Sequence, residues 1–215
     1  LNPTEYRIAL EAARDKWHSK NHPFFKQWAA GELSKDAMKA YCQQHYNFVS
    51  NASRYSGIMY GLCDWPDARL LLLENLNEEE DPDEKHVDKL SKFGVALGMS
   101  VDEGRAAPDL PTTAALKDFI INTIMMKSIL EGIAVLTVGL ESQVPELYRP
   151  IVPALRDTYG FSDDELEFFL LHIEADVEHG DAGFWIVIEH SEDERAQDAA
   201  LAAVGLEWSN VADLV

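Results

Sequence analysis

At 215 residues, with 47% hydrophobic and 26% charged positions, the chain is long enough to bury one continuous core and too apolar for wholesale disorder. Its formal net charge of −20 speaks against partners that are met by basic patches, namely nucleic-acid backbones and anionic membrane surfaces. What remains is work on small molecules, carried by those few acids that stand in apolar company.

Apolar residues recur near every 3.6 positions along almost the whole chain, and alternating runs bounded by turn residues are scarce, so the expected class is all-α. A first amphipathic helix is predicted from Pro3 to about Ser19, ending before Asn21 and Pro23; it reads as a helix and not as a signal peptide. A second, long helix follows the N-cap residue Ser34 and carries Tyr41, Tyr46, Val49 and Tyr55. Cys42 and Cys63 lie inside these apolar stretches and form no disulfide framework, which points to buried thiols and a reducing cytoplasm.

Asp64, Trp65 and Pro66 mark a break, after which a helix is expected over Asp67 to Glu80. Pro82 removes a backbone donor and disfavours a helical residue before it, so a restart follows, with Asp81 and Glu84 as a capping box and Gly98 as the stop. Ser100 with Glu103 opens a short helix. The most apolar segment then runs from Phe119 to Leu140 and ends near Pro145; Asn122, Lys127 and Glu131 interrupt it, so it is a buried helix and not a membrane span. Ser162 with Glu165 and Ser191 with Glu194 are expected to cap the last two helices. No repeat, low-complexity tract or linker divides the chain, so residues 1–215 read as a single domain.

Within LHIEADVEHGDAG, spacings of four and three residues bring His172, Asp176 and His179 to one helix face, within an arc of about 60°, while Glu174 and Glu178 point elsewhere. Two imidazoles and a carboxylate suit a borderline transition metal; the bland alternative is a solvated face with incidental histidines. Glu141 ends the most apolar helix, where a carboxylate is costly to bury without a cation; its alternative is an exposed helix end. Glu79 and His86, seven residues apart, share a face only if the helix continues past Pro82, and Glu78 or Glu80 competes with Glu79 as the inward acid. Tyr46, Lys127 and Glu131 are weaker candidates for binding substrate, with an internal Lys127–Glu131 ion pair as the alternative. A helical bundle is able to gather such groups around a pair of ions.

At the six positions Glu79, His86, Glu141, His172, Asp176 and His179, the sequence resembles the haem-oxygenase-like di-iron oxidases and oxygenases, relatives of the TenA and PqqC enzymes. HPFFKQWAAGELS, ENLNEEE, ESQVP and HIEADVEHG look like segments of the p-aminobenzoate synthases related to the chlamydial death-domain-associating protein, over about His22 to His179. The resemblance implies a seven-helix haem-oxygenase-like bundle, often a homodimer, whose six residues bind two irons, with manganese as the alternative metal. It implies oxygen-dependent chemistry on a small carboxylate-bearing or aromatic metabolite. Phe25 stands where those synthases place a tyrosine consumed in the reaction, and Ile151 where they place a lysine, so the resemblance reaches the metal ligands and not that one activity. The other readings are a metal-independent TenA- or PqqC-like enzyme and a non-catalytic metal-binding protein.

Overall fold

Several helix starts in this chain are set by short polar side chains that accept from otherwise unpaired backbone amides. Asn2 with Glu5, Ser100 with Glu103 and Ser128 with Glu131 form reciprocal capping boxes, and Ser34 Oγ accepts from the Ala37 amide. The computed structural model describes residues 1–83 and 85–212, and among them there is no strand.

The helices are α1 (Pro3–Asp15), α2 (Pro23–Ala29), α3 (Lys35–Val49), α4 (Ala52–Leu62), α5 (Pro66–Glu80), α6 (His86–Ala96), α7 (Val101–Ala106) and α8 (Pro111–Met126). They continue with α9 (Ile129–Ile133), a π-helical stretch (Ala134–Leu140), a 3-10 turn (Glu141–Gln143), α10 (Val144–Tyr148), α11 (Ile151–Asp157), α12 (Glu167–Glu189) and α13 (Glu194–Ala212). Gly98, at φ +86°, closes the turn after α6 in a conformation that glycine adopts without steric cost.

Several expected elements are divided. The first helix stops at Asp15, and Ser19 belongs to a separate 3-10 turn. The long helix after Ser34 breaks at Ser50 and Asn51, so Tyr55 sits on α4. The apolar helix breaks at Lys127, whose backbone is extended, and Ser128 begins a new one. Lys127 and Glu131 therefore make no four-residue pair: Lys127 is exposed, and Glu131 Oε2 accepts from the Ser128 amide and hydroxyl. Ser191 does not cap the last helix, because its hydroxyl donates to the Val187 carbonyl and lies 3.1 Å from the Tyr6 hydroxyl; Asp193 caps it, accepting from the Ala196 amide. The restart after Pro82 is present, but α6 begins at His86 behind Lys85, and Asp81 accepts from the Asp83 amide; Glu84 lies outside the described residues.

Two apolar clusters make the core. One joins α1, α4, α5, α8, α9, the π-helical stretch, the C-terminal part of α12 and α13 around Leu72, Ile133 and Val187; the other joins α2, α3, α6, α10, α11 and the N-terminal part of α12 around Trp28, Phe93 and Phe169. Between them lies a cavity of about 290 Å³ that takes Leu136 from the first cluster and Val49, Leu147, Tyr148 and Phe168 from the second. Helix α12 runs past this space and packs on α1, α5, α6, α9, α10 and the π-helical stretch. Its approach to the last is close: Gly183 meets Thr137, and a Cβ on Gly180 would stand 2.9 Å from Ser142 Cα. No helix among the described residues is long and apolar enough to cross a membrane.

Candidate metal centre

Carboxylates and imidazoles from four elements line one side of the cavity. The last turn of α5 supplies Glu78 and Glu79, the first residue of α6 is His86, the 3-10 turn supplies Glu141, and α12 supplies His172, Asp176 and His179. All six residues singled out in the sequence thus face the same space, and Glu174 and Glu178 are exposed on the other side of α12. Glu79 and His86 meet across the break at Pro82, not along one continuous helix.

One part of the cluster is Glu79, His86 and His172, whose ligand atoms all lie within 4.8 Å of one another. Donors at about 2.1 Å from one ion are about 3.0–3.4 Å apart at right-angle or tetrahedral positions, so the three side chains would have to draw in to hold an ion. Glu79 Oε1 is 3.3 Å from His86 Nδ1. His172 Nδ1 donates to the Phe168 carbonyl at 2.7 Å, which fixes the tautomer and leaves the Nε2 lone pair available, a frequent support for metal-bound imidazole.

The other part is His179 with Asp176, Glu141 and Glu78. His179 Nδ1 lies 3.8 Å from Asp176 Oδ1, and its Nε2 lies 3.2 Å from Glu78 Oε2. Burial works against a charge on His179, but the bond to Asp176 and the nearby Glu141 and Glu78 carboxylates outweigh it and raise its pKa to about 9. Glu141 Oε1 accepts from Asn75 Nδ2 at 3.4 Å, whereas Oε2 is sealed from solvent and has no hydrogen-bond partner. Burial, and then the Asp176 charge, push the Glu141 carboxyl well above the usual carboxylate range. An orphaned carboxylate oxygen beside further acids and imidazoles is the state that a bound cation relieves, so the donor set fits a metal site.

Glu80 does not compete: its carboxylate accepts from Ser53 at 2.7 Å and pairs with Lys85 at 3.0 Å. Tyr46, Lys127 and Glu131 are not among the residues that line the cavity. Tyr46 faces a separate small cleft with Cys42, Ser91 and Met99, and the helix break turns Lys127 and Glu131 into a capped junction.

Tyr41 and His45 share a face of α3 at a spacing of four residues, and the residue that sequence spacing does not bring to them is Tyr148. The Tyr41 and Tyr148 hydroxyls are 3.0 Å apart, and the Tyr148 hydroxyl is 3.2 Å from His45 Nε2. Burial, reinforced by His172, lowers the His45 pKa to about 3, so this imidazole is neutral. Asn75 carried a readable signal, since it precedes Glu78 and Glu79 by three and four residues on one helix face. The remaining walls are apolar, with Phe25, Phe48, Leu116, Leu140 and Val144 among them, and no Lys or Arg lines the cavity among the described residues.

Comparison with known proteins gives the chain a family. The family of iron-containing redox enzymes matches residues 39–209, and the chain belongs to that family. It is 33% identical over 171 residues to a 4-aminobenzoate synthase of Chlamydia muridarum, a match covering 79% of this chain and 72% of the relative. It is 25% identical over 202 residues to a pyrroloquinoline-quinone synthase of Rhizobium meliloti, covering 91% of this chain and 77% of that one. Among solved structures, a domain with a heme oxygenase-like fold from Shewanella denitrificans superposes with a TM-score of 0.81 at 15% identity, covering 100% of this chain and 90% of the other. The all-α, haem-oxygenase-like architecture expected from the sequence is therefore the one observed, but the described residues form thirteen α-helical segments and not seven helices, because the long helices are divided.

Proposed function

We infer that the protein is an oxygen-dependent, non-haem di-iron oxidase or oxygenase, with Glu79, His86, Glu141, His172, Asp176 and His179 as the metal ligands. The observation that carries this is the orphaned Glu141 oxygen, buried beside three imidazoles and three further carboxylates in a cavity large enough for a small molecule. Family membership and the 4-aminobenzoate and pyrroloquinoline-quinone synthase relatives support redox chemistry on an aromatic precursor. Iron is the resident metal in this scheme and manganese the alternative.

Between the two substrate types that the sequence suggests, the cavity favours the aromatic one. With no Lys or Arg on the walls, a carboxylate would have only the metal ions to pair with, whereas Phe25, Phe48 and Phe168 offer ring contacts to a flat molecule. Iron held by these residues would supply the redox chemistry. The chain's own contribution is to hold the substrate against the aromatic wall, exclude water from the cluster and offer hydrogen bonds. Neutral His45 and the Tyr148 hydroxyl, 3.2 Å from His45 Nε2, form a short polar edge that hydrogen-bonds without carrying a charge. We further take residues 1–215 as one domain, working as a homodimer in the cytoplasm on a small molecule and oxygen.

The test is anaerobic loading of the metal-free protein with Fe(II), followed by exposure to oxygen. Close to two irons per chain, with oxygen uptake that the metal-free protein lacks, is the expected result. Turnover that survives metal removal supports a metal-independent enzyme instead, and tight iron binding without oxygen uptake supports a binding protein.

A further inference from the structure

Adjacent residues at the end of α5 face different imidazoles. Glu79 Oε1 stands 3.3 Å from His86 Nδ1, and Glu78 Oε2 stands 3.2 Å from His179 Nε2. Two ligands bound at right angles to one ion at about 2.1 Å are about 3.0 Å apart, so each pair is spaced as two ligands of a single ion. The two imidazoles belong to different parts of the cluster: His86 joins His172, and His179 joins Asp176. Glu78 is half-buried and lines the same cavity as the orphaned Glu141 oxygen, so its carboxylate is turned inward, unlike that of Glu80.

We propose that Glu78 is a seventh metal ligand, binding the ion at His179 while Glu79 binds the ion at His86. The proposal rests on the two-ion reading above and extends it. A further consequence follows from charge. Glu78, Glu79, Glu141 and Asp176 are four carboxylates, and two divalent ions carry four positive charges, so the loaded centre is electrically neutral. With the six-residue set alone it would keep one positive charge and draw anions. A neutral centre in a cavity without Lys or Arg fits an uncharged aromatic substrate.

The test is anaerobic equilibrium dialysis of Fe(II) against the metal-free full chain and its E78Q, E79Q and E80Q variants, with metal counted by mass spectrometry. Glutamine keeps the size of the side chain, and helical content by circular dichroism verifies folding. The wild type and E80Q are expected to bind two ions. E78Q and E79Q are each expected to keep one ion and to bind the other at least about ten-fold more weakly. Crystals of E78Q should show the retained ion beside His86 and His172, and crystals of E79Q should show it beside His179 and Asp176. Two wild-type ions with undiminished binding of both in E78Q would overturn the assignment of Glu78 alone. Fewer than two ions in the wild type would overturn the two-ion reading and this assignment together.

Discussion

Asp176 is the buried carboxylate of α12, at 4% exposure, whereas Glu174 two residues earlier is open to solvent. Asp176→Ala should therefore sharply reduce metal content while helical circular dichroism is retained, and Glu174→Ala should change neither. Equal metal loss in both variants would contradict the facing of α12. The common facing of His172, Asp176 and His179 was legible because the helix is regular over 23 residues, so simple angular periodicity turns all three toward the cavity. Glu78 and Glu79 were harder to rank. They stand in the last turn before Pro82, where the register to His86 depends on a chain break and not on helical spacing. The Tyr41, His45 and Tyr148 contacts join α3 to α10 across more than one hundred residues, and no local pattern reports such a meeting.

The boundary inside the longest apolar run follows capping chemistry and not apolar periodicity. Apolar residues continue from Phe119 to Leu140 because both sides of the junction at Lys127 and Ser128 are packed against the core, so their pattern hides the break. The signal that marks it is Ser128 followed by Glu131, whose side chains and amides satisfy one another at 3.2 Å and 3.0 Å. Ser128→Ala should lower stability by about 1 kcal/mol, read as a reduced unfolding midpoint in urea with unchanged slope. No loss would show that the restart of α9 owes nothing to its cap. The π-helical stretch that follows is equally hidden in sequence, yet it leads directly into the 3-10 turn that aims Glu141 at the cavity. Such local widening of a helix is frequent at functional sites, and the close contacts of Gly180 with Ser142 and of Gly183 with Thr137 hold α12 against it.

At the scale of the whole molecule, most of the −20 charge is solvated surface, and the acids that matter are those folded inward. Without metal, His179 has its pKa raised to about 9 and is protonated at pH 7, and the Glu141 carboxyl, also raised, holds part of a second proton. Metal ions bind the deprotonated forms, so loading at pH 7 should release protons, and affinity should rise with pH toward about 9 and fall below neutrality. Titrating Zn(II) into weakly buffered protein with a pH indicator measures this directly, and binding without proton release would contradict the state assigned to His179. The fold class was readable because helical periodicity and caps recur throughout; the cavity was not, because its walls are shared by two core clusters that only tertiary packing brings together.

The central claim is that groups from α5, α6, the 3-10 turn and α12 share two ions in one cavity. Anomalous diffraction from iron-loaded crystals tests it most directly. Two iron peaks are predicted, one at Glu79, His86 and His172 and one at Asp176 and His179, with a Glu141 oxygen within bonding distance of at least one. A single peak, or a Glu141 carboxylate more than a coordination shell from both, would contradict it.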